Sequence, residues 1–199
     1  LGNPGLRYKN TRHNLGFQVV DLLSNRWEIP LVHHSQAARW GRGVYAAQEV
    51  VLAQPDTYMN LSGKAVRRLL DHFALDPSEL LIIHDDLDLP LGRLKFSPQG
   101  GAGGHRGVAS IIATLGHQNF LRLKIGIGRP QFGEPVETYV LSPCYPFELE
   151  AYVLIRERAA AAVETLLRAG LGPAMSQFHQ AIPLPLGAGE GVSNHEPRQ

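Results

Sequence analysis

Cysteine is nearly absent: Cys144 is the only one in the chain. A lone thiol excludes an internal disulfide and any cysteine-based zinc site, and it fits a reducing, cytoplasmic setting. Tryptophan and methionine number two each, which predicts a mainly aliphatic core. No apolar run approaches the ~20 residues of a membrane-spanning helix, and no signal peptide is visible, so no membrane partner is expected. Net charge is only +1, so no overall basic character announces a nucleic-acid partner. Several catalytic signatures are missing as well. There is no G-x-x-x-x-G-K-[ST] phosphate loop and no G-x-S-x-G nucleophile elbow, and Gly101-Ala102-Gly103 lacks the last glycine of a dinucleotide fingerprint. A covalent serine or cysteine mechanism is not indicated.

What is present is a chain of 199 residues, 44% hydrophobic, enough for one domain with a real core. Charge is unevenly placed. Residues 1–130 carry 15 Lys+Arg against 10 Asp+Glu, and residues 131–199 carry 4 against 8. The split suits a basic face for a polyanion, or ordinary scatter. Apolar spacing predicts helices from Asn14 to about Trp27, over 61–74, after the glycine-rich Gly100–Gly104, over 146–169 and at 173–179. Residues 43–53 read as a strand pair ended by Pro55. Leu80–Ile83, Arg93–Phe96 and 121–127 read as further strands. Strands alternating with helices predict an α/β fold. Because Leu1 stands directly before the turn Gly-Asn-Pro-Gly, a buried strand is expected to precede it. The Pro-, Gly- and polar-rich stretch 183–199 is expected to be a disordered tail to a catalytic domain at 1–182.

Three polar clusters flank apolar elements. In Thr11-Arg12-His13-Asn14, His13 is placed either as a general base, its ordinary pKa of ~6.5 lying near neutrality, or as an exposed member of a segment in which Thr11 or Asn14 caps a helix. In Tyr58-Met59-Asn60-Leu61-Ser62, Asn60 or Ser62 caps the next helix, or the Asn60 amide holds a water or an oxyanion. In His84-Asp85-Asp86-Leu87-Asp88, Asp85 ends a buried strand, where active sites of α/β proteins collect, and could orient a histidine. Magnesium binding by the three aspartates and a solvated turn before Pro90 are the alternatives. The loop ending Gly103-Gly104-His105-Arg106-Gly107 opens a helix whose amides suit a phosphate or carboxylate, or it is simply a tight turn. His33-His34 are adjacent, so their side chains do not converge on a metal.

Together, the strings LGNPG (1–5), TRHNLGF (11–17), MNLSGKAV (59–66), HDDLDLPLG (84–92), GGAGGHRG (100–107) and RLKIGIGRP (122–130) resemble the bacterial-type peptidyl-tRNA hydrolase family. They stand in that family's order and spacing and cover about residues 1–180. The resemblance implies a single-domain α/β fold with a twisted mixed sheet sandwiched between helices, a monomer, and no metal or cofactor. The substrate it implies is peptidyl-tRNA, cut at the ester joining peptide to tRNA so that tRNA from stalled or aborted translation is recycled. By position, His13 matches the catalytic histidine, Asp85 its carboxylate partner, and Asn3 and Asn60 the asparagines that place substrate and water. Tyr8 and Met59 match residues of the peptide-side cleft, and Lys124 a basic position of the tRNA phosphate clamp. Two positions depart from the pattern. Arg106 stands where asparagine is usual, and Ser97 where a lysine is usual. Lys95, Arg106 and Lys124 are the expected substitutes for that missing charge. A non-catalytic RNA-binding relative, of the kind found among plant splicing factors, is the alternative. A magnesium-dependent phosphohydrolase built on Asp85, Asp86 and Asp88 is a further one.

Overall fold

The computed structural model describes residues 1–187. A 3-10 turn at Arg12–Asn14 runs into helix α1, Leu15–Arg26, which buries Leu15, Val19, Val20 and Leu23 along one face. Strands β1 (His33–Ser35), β2 (Ala38–Tyr45) and β3 (Gln48–Pro55) form an antiparallel sheet of their own. Both its turns have two residues, Gln36-Ala37 and Ala46-Ala47, all four at positive φ. Such turns match strand twist but favour Gly or Asn, so the alanines hide them from a reading of the sequence. The expected strand pair is therefore longer than 43–53; Pro55 ends it, as expected, though it is itself the last paired residue, opposite Ala38, and β1 adds a third strand that the sequence does not announce.

After a second 3-10 turn at Met59–Leu61, helix α2 spans Ser62–Phe73. The central sheet follows: β4 (Leu81–Asp86), β5 (Leu94–Ser97), helix α3 (Arg106–Leu115) and β6 (Leu121–Gly126). Its order is β4-β6-β5, with β4 parallel and β5 antiparallel to β6, so the sheet is mixed, as expected. Short helix α4 (Val136–Val140) leads to α5 (Leu149–Ala169) and α6 (Leu171–Phe178). Alternation along β4 sends neighbouring side chains to opposite layers. Ile83 joins the core formed with α1 and α5, and Ile82 joins the one formed with α2 and α3. Helices thus cover both faces of the mixed sheet, while the hairpin strands form a separate sheet instead of extending it.

Residues 1–3 lie beside β4: the backbone nitrogen of Leu1 donates to Ile83 O, and Leu1 O accepts from Phe17 N–H. Gly16 permits this approach, because a Cβ there would meet Ile83 O at 2.3 Å. No described helix is long and apolar enough to cross a membrane. Of the expected tail, residues 183–187 lack regular structure, yet Leu184 packs on the core and Gly187 N–H donates to Phe147 O. Residues 188–199 lie outside the described region.

Candidate active site

The C-terminal end of β4, the turn before α1 and the N-terminus of α3 meet at a cleft of about 460 Å³. Asp85 is at its base, 2% exposed. His13 Nδ1 lies 3.0 Å from each Asp85 carboxylate oxygen. His105 Nε2 lies 3.1 Å from Oδ1, while its Nδ1 accepts the Val108 N–H at 3.2 Å. That backbone donor fixes the tautomer: Nδ1 keeps its lone pair, so Nε2 carries the proton and donates it to Asp85. His13 donates from Nδ1, which leaves Nε2 as a lone-pair nitrogen with no protein partner among the described residues.

Burial alone would raise the Asp85 carboxyl. The charges of His13 and His105 and their hydrogen bonds outweigh burial and hold it well below the usual carboxylate range. Burial pushes His105 below its ordinary 6.5 despite Asp85, and pushes His84 well below it. His84 donates through Nδ1 to Asp85 O at 2.6 Å and meets the His105 ring edge-on at 4.7 Å. The site is one carboxylate hydrogen-bonded to two imidazoles, both of which line the cleft.

His13, Asp85 and His105 offer ligand atoms within 4.8 Å of one another, a spacing a metal ion could span. The His105 tautomer opposes it: an Nε2 that carries a proton has no lone pair to give. Nor do the three aspartates gather a cation. Asp86 pairs with Lys124 at 2.9 Å and Asp88 with Arg129. His33 stacks on Trp40 while His34 turns to Asp56, so that pair diverges too.

The capping alternatives also fail. Asn14 instead exchanges two 2.9 Å hydrogen bonds with the Asn3 backbone, and Thr11 Oγ1 donates to Tyr8 O. Neither Asn60 nor Ser62 caps α2; the Ser62 hydroxyl donates to Met59 O. Asn60 is exposed in the cleft wall. Asn3 Oδ1 accepts the Met59 N–H at 2.8 Å, which leaves the Asn3 amide nitrogen free among the described residues.

The cleft brings together Asn3, Tyr8, His13, Met59, Asn60, Asp85 and Arg106. Arg106 is exposed at its rim and pairs across it with Glu137 of α4 at 3.1 Å. Lys95 and Lys124 do not line it. They are cross-strand partners on β5 and β6, Lys95 exposed and Lys124 held by Asp86. The sequence reading gave His105 no role. The signal was there: a histidine behind Gly103 and Gly104, both at positive φ, at the residue that opens α3.

A family model described as peptidyl-tRNA hydrolase matches residues 1–184. A peptidyl-tRNA hydrolase of Synechococcus sp. JA-3-3Ab is 46% identical over 180 residues, covering 90% of this chain and 80% of that protein. One from Shouchella clausii is 43% identical over 179 residues, covering 90% and 97%. The crystal structure of peptidyl-tRNA hydrolase from Acinetobacter baumannii matches with a TM-score of 0.83 at 35% identity, over 89% of this chain and 91% of that one. A complex of a peptidyl-tRNA hydrolase with N-propanol matches at 0.85 and 37%, over 92% and 93%.

Proposed function

Because the chain belongs to the peptidyl-tRNA hydrolase family, we propose that His13 is the general base with which it cleaves its substrate. The enzyme is a carboxylic ester hydrolase. It hydrolyses the ester between a peptide and the tRNA 3′ ribose and returns tRNA to translation. Esters are activated acyl groups, so water attacks without a covalent enzyme intermediate. His13 Nε2 takes a proton from that water as its oxygen bonds the carbonyl carbon. Asp85, 3.0 Å from Nδ1, stabilises the imidazolium that forms. His13 then returns the proton to the departing ribose oxygen as the tetrahedral intermediate collapses. A positioned base of this kind contributes about 10²–10⁴-fold. Asn60 donates to the oxyanion or holds the water, and an oxyanion donor is worth about 10²–10³-fold. Asn3 binds the tRNA 3′ end or the peptide terminus through its free amide.

The observation that carries this reading is the His13–Asp85 pair buried at the base of an open cleft. Nascent peptides vary, so Tyr8, Met59 and Arg106 meet the backbone of the peptide side. Lys95 and Lys124 meet tRNA phosphate, which positions the substrate but carries little sequence information. The enzyme works as a cytoplasmic monomer without metal or cofactor. The test is release of labelled N-acetyl-aminoacyl groups from tRNA in the presence of chelator, with His13→Ala as control. Release by wild type alone is the expected result. Near-normal release by His13→Ala overturns the base assignment. Salt-sensitive tRNA binding without any release would instead place the chain among non-catalytic RNA binders.

A further inference from the structure

The residue beside the proposed base is among the most enclosed charges in the protein. Arg12 is 1% exposed, as is its partner Glu148. Its guanidinium packs in the corner of two tilted aromatic rings, 3.9 Å from the Tyr139 centroid and 4.4 Å from that of Tyr145. In its own plane Nη2 donates to Glu148 Oε2 at 3.2 Å, and Nη1 donates to Pro143 O and to Tyr139 O. The Arg12 backbone N–H donates to Ser142 O at 3.0 Å, and Thr11 bridges Pro143. Every one of these bonds runs from the turn that carries His13 to the segment 139–148. That segment continues directly from α4, whose Val136, Glu137 and Val140, with Leu141 after it, form the opposite wall of the cleft.

Stability alone does not account for this choice of residues. Buried ion pairs are often replaced by apolar side chains of similar volume with no loss, or with a gain, in stability. Here the pair also leaves Arg12 Nε, Glu148 Oε1 and the Tyr152 hydroxyl without partners among the described residues, a further cost of burial. What an apolar side chain would not supply is direction. A guanidinium reaches two carbonyls and a carboxylate through its forked N–H groups while it also packs against aromatic rings. We propose that Arg12, anchored by Glu148, is a positioning residue: it locks the His13 turn to the α4 wall and so fixes where Nε2 points into the cleft.

The inference rests on His13 being the base, and the test separates the two. Arg12→Met, Arg12→Lys and Glu148→Gln are compared with wild type and His13→Ala on peptidyl-tRNA. Misplacing a reacting group by an ångström costs about 10²-fold. Arg12→Met is therefore expected to lose about that much kcat, with KM and tRNA affinity within about threefold. Arg12→Lys, which keeps charge but reaches fewer acceptors, falls between. The low-field NMR signal of the His13 Nδ1 proton, bonded to Asp85, should shift in Arg12→Met; merely looser packing elsewhere leaves it in place. If Arg12→Met does not fold, Glu148→Gln decides, since it preserves shape while weakening the anchor. Unchanged kcat and an unmoved proton signal in a folded variant, alongside an inactive His13→Ala, overturn the clamp and leave the base intact. Activity in His13→Ala refutes the base assignment itself.

Discussion

Two carboxylates in this protein are equally hidden and do opposite things. Asp85 is 2% exposed and Glu148 is 1% exposed. Glu148 meets a guanidinium that stays charged at any ordinary pH, and the Tyr145 backbone amide at 3.0 Å. Asp85 meets two imidazoles, both of which line a cleft. The Glu148 partners keep one charge state throughout, so that site holds geometry. The Asp85 partners are imidazoles, side chains whose chemistry is to take up and release a proton, so that site can follow a reaction. Burial is common to both; what separates structure from chemistry is whether the partner titrates and whether it reaches the substrate.

The sharpest way to break this contrast is Asp85→Asn. An amide of the same shape offers one acceptor where two imidazoles now donate, and it removes the charge that holds an imidazolium. Turnover is expected to fall about 10²–10⁴-fold, measured as single-turnover ester release by folded protein. A variant with near wild-type turnover would show that Asp85 is only structural. Glu148→Ala is the counterpart, and its first effect is on stability. It strands the Arg12 guanidinium in the interior, and breaking a buried pair from one side costs about 3–5 kcal/mol. Urea unfolding that moves by less than about 1 kcal/mol would mean that water or the two tyrosines carry Arg12 unaided.

The sequence made Asp85 legible and Glu148 invisible, for physical reasons. Asp85 follows an apolar run that reads as a buried strand, and strand ends are where α/β sites gather. His13, Asn3 and Asn60 were legible only jointly. Alone, His13 and Asn60 sit in segments with a capping explanation and Asn3 in a turn; the structure removed the caps by giving Asn14 to Asn3 and Ser62 to a carbonyl. Arg12 and Glu148 are 136 residues apart, and either type is ordinarily solvated, so nothing local announces that they meet. The basic residues of β6 were visible as cations. That Arg122 is buried holding Gly101 O, and Lys124 is held by Asp86, depends on the tertiary fold. Strand β1 escaped because its turn is built from Gln36 and Ala37 instead of glycine or asparagine.

Acid should separate Asp85 from the histidines around it by window. His84 and His105 have folded pKa values lowered below 6.5, so the unfolded chain binds protons first. Their contribution is complete above 6.5 and is lost as pH falls from there toward their folded values. The folded pKa of Asp85 is depressed below 3.8, so its contribution is complete above 3.8 and is lost only at lower pH. His84 and His105 therefore contribute destabilisation between about pH 7 and pH 5, a window in which Asp85 contributes none. His84→Asn keeps a donor near Asp85 O without a titrating ring. It should flatten the slope of Tm against pH in that range, and an unchanged slope would assign the loss to other groups.

The smallest expected effect lies at the edge of the central sheet, outside the cleft. Lys95 and Lys124 face one another across β5 and β6, but only Lys95 is free of a carboxylate among the described residues. A tRNA phosphate at this edge meets Lys95 first, and Lys124 only in competition with Asp86. Lys95→Ala should weaken tRNA binding and lower the slope of log K against log salt by about one. The loss should vanish on a substrate cut back to the 3′-terminal nucleotides. Lys124→Ala should cost more than one phosphate contact, because it leaves the Asp86 carboxylate facing the phosphate. If Lys95→Ala keeps the full salt slope, the phosphate contact lies elsewhere, and the exposed Arg106 at the cleft rim becomes the cation to test next.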